Sequence, residues 1–295
     1  MKDVKLGNLL IKKIEELDGQ FPMQVMLPDI TADDLTTLKK WYWSDELSLD
    51  PENAALKLSI HSYLLQVNGL NILIDTCNGN NKSRSMPHGN MLDTNYLTNL
   101  KNAGVTPEEI NIVLCTHLHC DHVGWNTRLE NGEWIPTFPN ARYIFSRKDY
   151  EFFITQQHEA MHREAFDDSV LPIVEAGLAD IVEEDYIVDR EIGKGVWLEG
   201  ANGHSPGSCV VVAQDEGPKA VFSGDIFHHP VQLVNQEAPF YADEDFQQAS
   251  LTRKAVLEKY ADTDAVIFPA HFCDNSAGTL STTDHKGYRF NFLEE

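Results

Sequence analysis

Thr116-His117-Leu118-His119-Cys120-Asp121-His122 places four metal-ligating side chains within six residues, directly after the apolar run Ile110 to Cys115. An apolar run that stops at such a cluster reads as a strand carrying ligands to its end. Neutral imidazole nitrogens with a carboxylate suit zinc or a similar divalent ion, and three imidazoles this close are costly to satisfy as ordinary core groups. A histidine-rich surface loop is the plainer reading, but it leaves the downstream partners unexplained.

Those partners are single residues in tight turns after apolar runs: His204 in Gly203-His204-Ser205-Pro206-Gly207-Ser208, Asp225 in Phe222-Ser223-Gly224-Asp225, and His271 in Ile267-Phe268-Pro269-Ala270-His271. A strand ending in a glycine- or proline-marked turn holds a side chain at a fixed rim position, which a metal cage drawn from distant parts of a chain requires. Taken singly, each also reads as a helix cap, a turn aspartate or a satisfied histidine.

The order His-x-His-x-Asp-His, Gly-His-Ser-Pro-Gly, Ser-Gly-Asp, Ala-His resembles the metallo-β-lactamase superfamily of hydrolases over nearly the whole chain. The resemblance implies that His117, His119 and His204 hold one metal, that Asp121, His122 and His271 hold a second, and that Asp225 bridges them. It also implies that Asp75, in Ile72-Leu73-Ile74-Asp75-Thr76, orients the site from behind the ligands. Where the family usually has glycine two residues after that aspartate, this chain has Cys77, with Gly79 further on. The full second-site set resembles the two-metal lactonase, phosphotriesterase and glyoxalase-II-like branches more than the branch with a cysteine ligand. The stretch Gly224-Asp225-Ile226-Phe227-His228-His229-Pro230-Val231-Gln232 is most similar to the branch of methyl parathion hydrolase and its lactonase relatives. Acyl-homoserine lactonases carry a tyrosine three residues after the bridging aspartate, and here His228 stands in that place.

With 295 residues and 42% hydrophobic composition, the chain is long enough to bury a substantial core. We expect a single metallo-β-lactamase-like domain over 1–295, with an N-terminal extension at about 1–55 and a helical insertion at about 147–190. Lys plus Arg number 23 against 46 Asp plus Glu, giving a formal charge of −23 that repels a phosphate backbone and an anionic membrane surface. Nucleic acid and membrane are therefore not expected partners. The amino-terminal residues lack a signal-peptide apolar run and no stretch is long and apolar enough to span a bilayer, so a cytoplasmic protein is expected. Five cysteines without a CxxC pair do not make a disulfide scaffold.

Strand-like runs at Leu56 to Gln66 and Asn71 to Ile74 flank Asn68-Gly69, a hairpin turn signal. Asp93 to Ala103 reads as a helix ended by Gly104, and Thr106-Pro107-Glu108-Glu109 as a capping-box start before the Ile110 to Cys115 strand. Further strands are expected at Ala141 to Phe145, Cys209 to Ala213, Ala220 to Ser223 and Ala265 to Phe268, with a helix at Ala249 to Tyr260. Periodicity gives a mixed α/β (α+β) chain; the resemblance implies the four-layer αβ/βα sandwich. His158-Glu159-Ala160-Met161-His162 matches the zinc-protease motif, yet no third-ligand context follows it. Chance histidines on a solvated helix face account for it better, while an insertion covering the active site is a second reading.

Two divalent ions sharing an oxygen supply a bridging hydroxide at neutral pH, which would attack an ester or lactone carbonyl or a phosphorus centre. Zinc is the favoured metal, with iron or manganese as alternatives. Asp121 or His228 would manage the proton, although His228 and His229 also read as solvated rim residues. Trp125, Phe227 and Phe272 adjoin ligands and are expected as pocket walls, with core packing the alternative. Trp41-Tyr42-Trp43 either lines the pocket mouth or fills a subunit contact, a homodimer being left open; His61, His88 and His285 read as structural or surface residues. The favoured function is a two-metal hydrolase of small lactones or esters, ahead of a phosphotriesterase. A glyoxalase-II-like thiolesterase or sulfur dioxygenase comes next, and a non-catalytic fold member last.

Overall fold

The computed structural model describes residues 1–42, 48–156, 159–189, 195–284 and 287–294. Among these residues the strands form two seven-stranded sheets and one small two-stranded sheet. In the first large sheet the spatial order is Val4–Leu6, Leu9–Pro22, Ala55–Val67, Leu70–Ile74, Ile112–Leu114, Arg142–Ser146, Ala179–Val182. In the second it is Ile187–Asp189, Gly195–Gly200, Cys209–Gln214, Ala220–Gly224, Val266–Pro269, Gly278–Thr282, Tyr288–Phe292.

Facing side chains of the two sheets, among them Leu65, Ile74, Leu114, Val211, Phe222 and Phe268, make the central core. Helix Tyr96–Asn102 and the helices after residue 147 bury a second cluster on the outside of the first sheet. Helix Phe246–Tyr260 does the same on the second sheet through Leu257 and Tyr260. The architecture is thus the αβ/βα sandwich, helix on sheet on sheet on helix.

Local chemistry sets these elements as the pattern implies. Asn68 and Gly69 take φ of 48° and 78°, closing the Ala55–Val67 to Leu70–Ile74 hairpin with both turn residues left-handed. Glu109 Oε2 accepts from the Thr106 amide at 2.8 Å, capping the turn before Ile112–Leu114. The first 22 residues add two strands to one edge of the first sheet, and a register shift between Glu15 and Leu17 leaves Glu16 unpaired. That bulge turns the Glu16 carboxylate inward. The segment expected to be a helical insertion also supplies two edge strands, Ala179–Val182 and Ile187–Asp189. No helix among the described residues is long and apolar enough to cross a membrane.

Site placement follows from parallel pairing. Leu70–Ile74, Ile112–Leu114 and Arg142–Ser146 run parallel, so Asp75, the His117 to His122 turn and Asp149 emerge at the same end of the sheet. Ala220–Gly224 and Val266–Pro269 are parallel in the other sheet and release Asp225 and His271. The carboxyl ends of parallel strands thus converge on one edge of the sandwich.

Candidate metal centre

At that edge, His117 Nε2 lies 3.0 Å from His119 Nδ1, which in turn lies 2.9 Å from His204 Nε2. Asp225 sits between these rings and a second group. Its carboxylate oxygens lie 3.2 Å from His204 Nε2, 3.3 Å from His122 Nε2 and 3.1 Å from His271 Nε2. Asp121 Oδ2 is 3.8 Å from His122 Nε2 and 3.7 Å from His271 Nε2. The seven residues expected as ligands therefore come together in space.

The donor set fits two divalent ions. Tetrahedral coordination with zinc–nitrogen bonds near 2 Å sets neighbouring ligand atoms about 3.3 Å apart, close to the separations in both groups. His122 Nε2 and Asp225 Oδ1 are buried and face each other, yet neither has a hydrogen-bond partner, nor does His119 Nε2. Burial pushes His119 down to about 4 and His117 well below its ordinary value, keeping both neutral with free lone pairs. Asp225 would be raised by burial, but the imidazoles of His122, His271, His228 and His204 hold it well below the usual carboxylate range.

Each turn is fixed from behind. Asp75 Oδ1 accepts from the Thr116 amide at 2.7 Å and Oδ2 from the Thr116 hydroxyl at 2.9 Å, with His122 Nδ1 also 2.9 Å from Oδ2. His271 Nδ1 is 3.1 Å from the Ser59 carbonyl oxygen. Gly224 has φ of 51°, and a Cβ there would stand 2.9 Å from Thr116 Cβ, so glycine lets Asp225 reach the centre. Cys77 holds φ of 52° without being glycine, a conformation costing about 1–3 kcal/mol that the buried Asp75 turn sustains.

Several functional residues carried no motif. Asp149, fully buried, accepts from the Leu118 amide at 3.1 Å, the Ser205 hydroxyl at 2.7 Å and the Gly207 amide at 2.5 Å. It thereby ties the His117 to His122 turn to the His204 loop. Gly207 is required there, since a Cβ would fall 2.4 Å from the Asp149 nitrogen. Asp243 Oδ1 is 2.9 Å from His204 Nδ1, and Glu244 Oε1 is 3.0 Å from His162 Nε2.

A cavity of about 290 Å³ opens onto Asp121, Asp225, His228 and His271. Its walls include Leu17, Phe21, Met26, Met86, Met161 and Phe240. The three aromatic residues expected there are not among its lining. Trp125 stacks on Tyr96 at 5.4 Å and donates its Nε1–H to Glu16 at 2.6 Å, because the bulge carries that carboxylate beneath it. Phe227 and Phe272 pack on each other inside the second sheet's outer core, the strand-end turns sending ligands outward and these rings inward.

His228 lines the cavity, with Nε2 3.0 Å from Asp225 Oδ2 and its ring stacked 3.5 Å from Phe240. It is buried, as is His229, which accepts from the Val231 amide and meets Tyr42 edge-on; neither is a solvated rim residue. His88 lines the cavity against Phe21, while His61 is a buried partner of Ser59. His162 is buried rather than solvated, and neighbouring Met161 reaches the cavity wall. Trp41 packs against the core, whereas Trp43, His158 and His285 lie outside the described residues. Burial pushes the Cys120 thiol, which also lines the cavity, up to about 12.

The two-sheet sandwich carries this cluster of His and Asp side chains at one edge. The profile of the metallo-β-lactamase superfamily matches residues 56–271, and the chain belongs to that superfamily. An N-acyl homoserine lactonase of Bacillus cereus is 27% identical over 244 residues, spanning 78% of this chain and 88% of the relative. The solved structure of AidC, a dizinc quorum-quenching lactonase in complex with a product, N-hexanoyl-L-homoserine, superposes with a TM-score of 0.80 at 21% identity. That match covers 100% of this chain and 97% of AidC. The hydrolase AbOPH superposes with a TM-score of 0.81 at 23% identity over 99% of this chain and 97% of its own. The chain is an enzyme of the metal-dependent hydrolase class.

Proposed function

We propose that this protein opens small, uncharged lactones or esters, with an N-acyl lactone as the leading substrate, at a centre of two zinc ions. The carrying observation is the cavity: the Asp225 cluster forms its floor and apolar side chains its walls. On this reading His117, His119 and His204 hold one ion, Asp121, His122 and His271 the other, and Asp225 both. Imidazole and carboxylate donors suit zinc ahead of iron or manganese. Bound there, the ions supply an activated water at neutral pH and polarise the substrate carbonyl.

The chain's own groups do the rest. Asp121 would be raised by burial, but His122 and His271 hold its carboxyl below the ordinary value, so Oδ2 is ionised and able to take a proton. Burial pushes His228 down to about 4, leaving a neutral imidazole whose Nε2–H can donate a hydrogen bond to Asp225 Oδ2 or to charge developing on a leaving oxygen. Leu58 and Ile60 continue the wall into which an acyl arm would extend. Anionic thioesters are disfavoured, because Asp18, Asp121 and Asp225 face the cavity and Arg84 is bound at 2.6 Å by Asp168. Residues 1–55 and 147–190 are, on this reading, additions to one hydrolase domain, since both feed the cavity wall.

The test is hydrolysis by the zinc-loaded protein of a panel of N-acyl-homoserine lactones, aryl esters, phosphotriesters and glutathione thioesters. Lactone or ester turnover should lead by at least roughly tenfold, a difference of about 1.4 kcal/mol in barrier. Phosphotriester or thioester turnover leading by that margin overturns the assignment.

A further inference from the structure

We infer that Asp243 and Glu244, together with His162, are positioning residues that fix which ring nitrogens His204 and His119 turn toward the metal centre. The inference rests on the two-metal reading of the site, and not on the substrate. It starts from an asymmetry among the imidazoles. His117, His122, His204 and His271 present Nε2 to the centre, whereas His119 presents Nδ1. A neutral imidazole that ligates through one nitrogen carries its proton on the other, and that proton needs an acceptor when buried.

For His204 the acceptor is Asp243 Oδ1 at 2.9 Å. The Asp243 side chain is 0% exposed, its other oxygen accepts from the Phe240 amide at 2.9 Å, and Arg253 stands 3.8 Å behind it. For His119 the outward atom is Nε2, buried and without a hydrogen-bond partner. Glu244 Oε1 lies 4.0 Å from it and accepts from His162 Nε2 at 3.0 Å. The His162 ring lies nearly parallel to His119 at 5.6 Å and is wedged edge-on against Phe153. The Glu244 carboxylate is 28% exposed, free enough to close on His119 when that ring is loaded.

The acidic segment is itself bound to the His204 loop. The Glu244 amide donates to the His204 carbonyl at 3.1 Å, and the Asp245 amide to the Gly203 carbonyl at 2.9 Å. His162 closes the His-Glu-x-x-His run, and it meets the centre from outside through a carboxylate. The atoms of His119, His162 and Glu244 lie within 4.8 Å of one another, which also makes them a candidate third cation site. Because His119 already turns its other nitrogen inward, a shared carboxylate acceptor is the simpler arrangement.

The test is competition between the full-length zinc protein and a chromophoric chelator, with metal content and circular dichroism in parallel. Asp243→Asn and Glu244→Gln should each weaken one of the two ions by about 10–100-fold while the other keeps its parent affinity. His162→Phe, which keeps the stacked ring, should weaken the same ion by less than tenfold, and Glu244→Asp should recover part of the Gln loss. Parent-like release from a folded Glu244→Gln overturns the inference for His119, whatever Asp243→Asn does. A third zinc in the parent protein that Glu244→Gln alone abolishes, with the other two unchanged, overturns it in favour of a cation site. Each readout is metal binding, so failure of the lactone assignment leaves the result interpretable.

Discussion

The two halves of the centre are supported in different ways. On one side, His122 and His271 lean on Asp75 and on the Ser59 carbonyl, groups inside or at the ends of sheet strands. On the other, His119 and His204 depend on Asp149, His162, Asp243 and Glu244, which come from helices and loops dispersed over about a third of the chain. The first half is as rigid as the sheets beneath it. The second is assembled from segments that meet only once the fold is complete, so it should be the half that loosens first.

Asp225 lies against the rings of both halves, so Asp225→Ala should have the largest effect. It is expected to lower kcat by roughly a thousandfold or more, about 4 kcal/mol in barrier, with fewer than two metals retained. Parent-level turnover in that variant would end the two-metal mechanism. Asp75→Asn should cost about 10–100-fold in metal affinity or turnover, with the larger loss at the ion proposed on His122, which it touches directly, and a smaller one through Thr116 on the His117 side. Loss of the His204 ion instead would reverse the comparison.

Asp149→Asn sharpens it from the other side, because an amide cannot accept from all three donors. A loss of about 1–3 kcal/mol is expected, read as a lower Tm with the His204 ion weakened. Burial holds the Asp149 carboxyl up at about 6 against an ordinary 3.8. Between about pH 4 and 6 the folded protein keeps a proton that the unfolded chain has released. This stabilisation is complete below that window and disappears as pH rises through it. The metal-free parent should therefore lose Tm across the window relative to Asp149→Asn, and parallel curves would contradict the assignment. His228→Ala should be milder, about tenfold in kcat, with a changed pH–rate profile; an unaltered profile removes it from proton handling. Smallest of all, Trp125→Phe should leave KM for an ester substrate unchanged, costing about 1 kcal/mol of stability through the lost bond to Glu16.

What the sequence disclosed and what it concealed divide along the same line. The residues proposed as ligands lie in short runs after apolar strands, so His117 to His122, His204, Asp225 and His271 were visible as types and spacings, as was the Asn68-Gly69 hairpin. Asp149, Asp243 and Glu244 are ordinary acidic residues among 46, and only tertiary contact distinguishes them. Aromatic residues adjoining ligands misled for a geometric reason. Phe272 faces the core while its neighbour His271 faces the cavity, and in the turn after Asp225 both Ile226 and Phe227 are drawn into the core. Glu16 carried no distinguishing signal, being one of five charged residues in Leu9–Pro22, and only the register slip there turns it inward.

Met26, Met86 and Met161 are three of the chain's six methionines, and all three border the cavity. Unbranched thioethers re-pack around differently shaped guests at little cost, so the wall they form can adapt to guests of more than one shape. Oxidation of a thioether to its sulfoxide at these positions would turn an apolar wall polar. Peroxide treatment would then change the cavity wall while leaving the His and Asp side chains at its floor chemically intact.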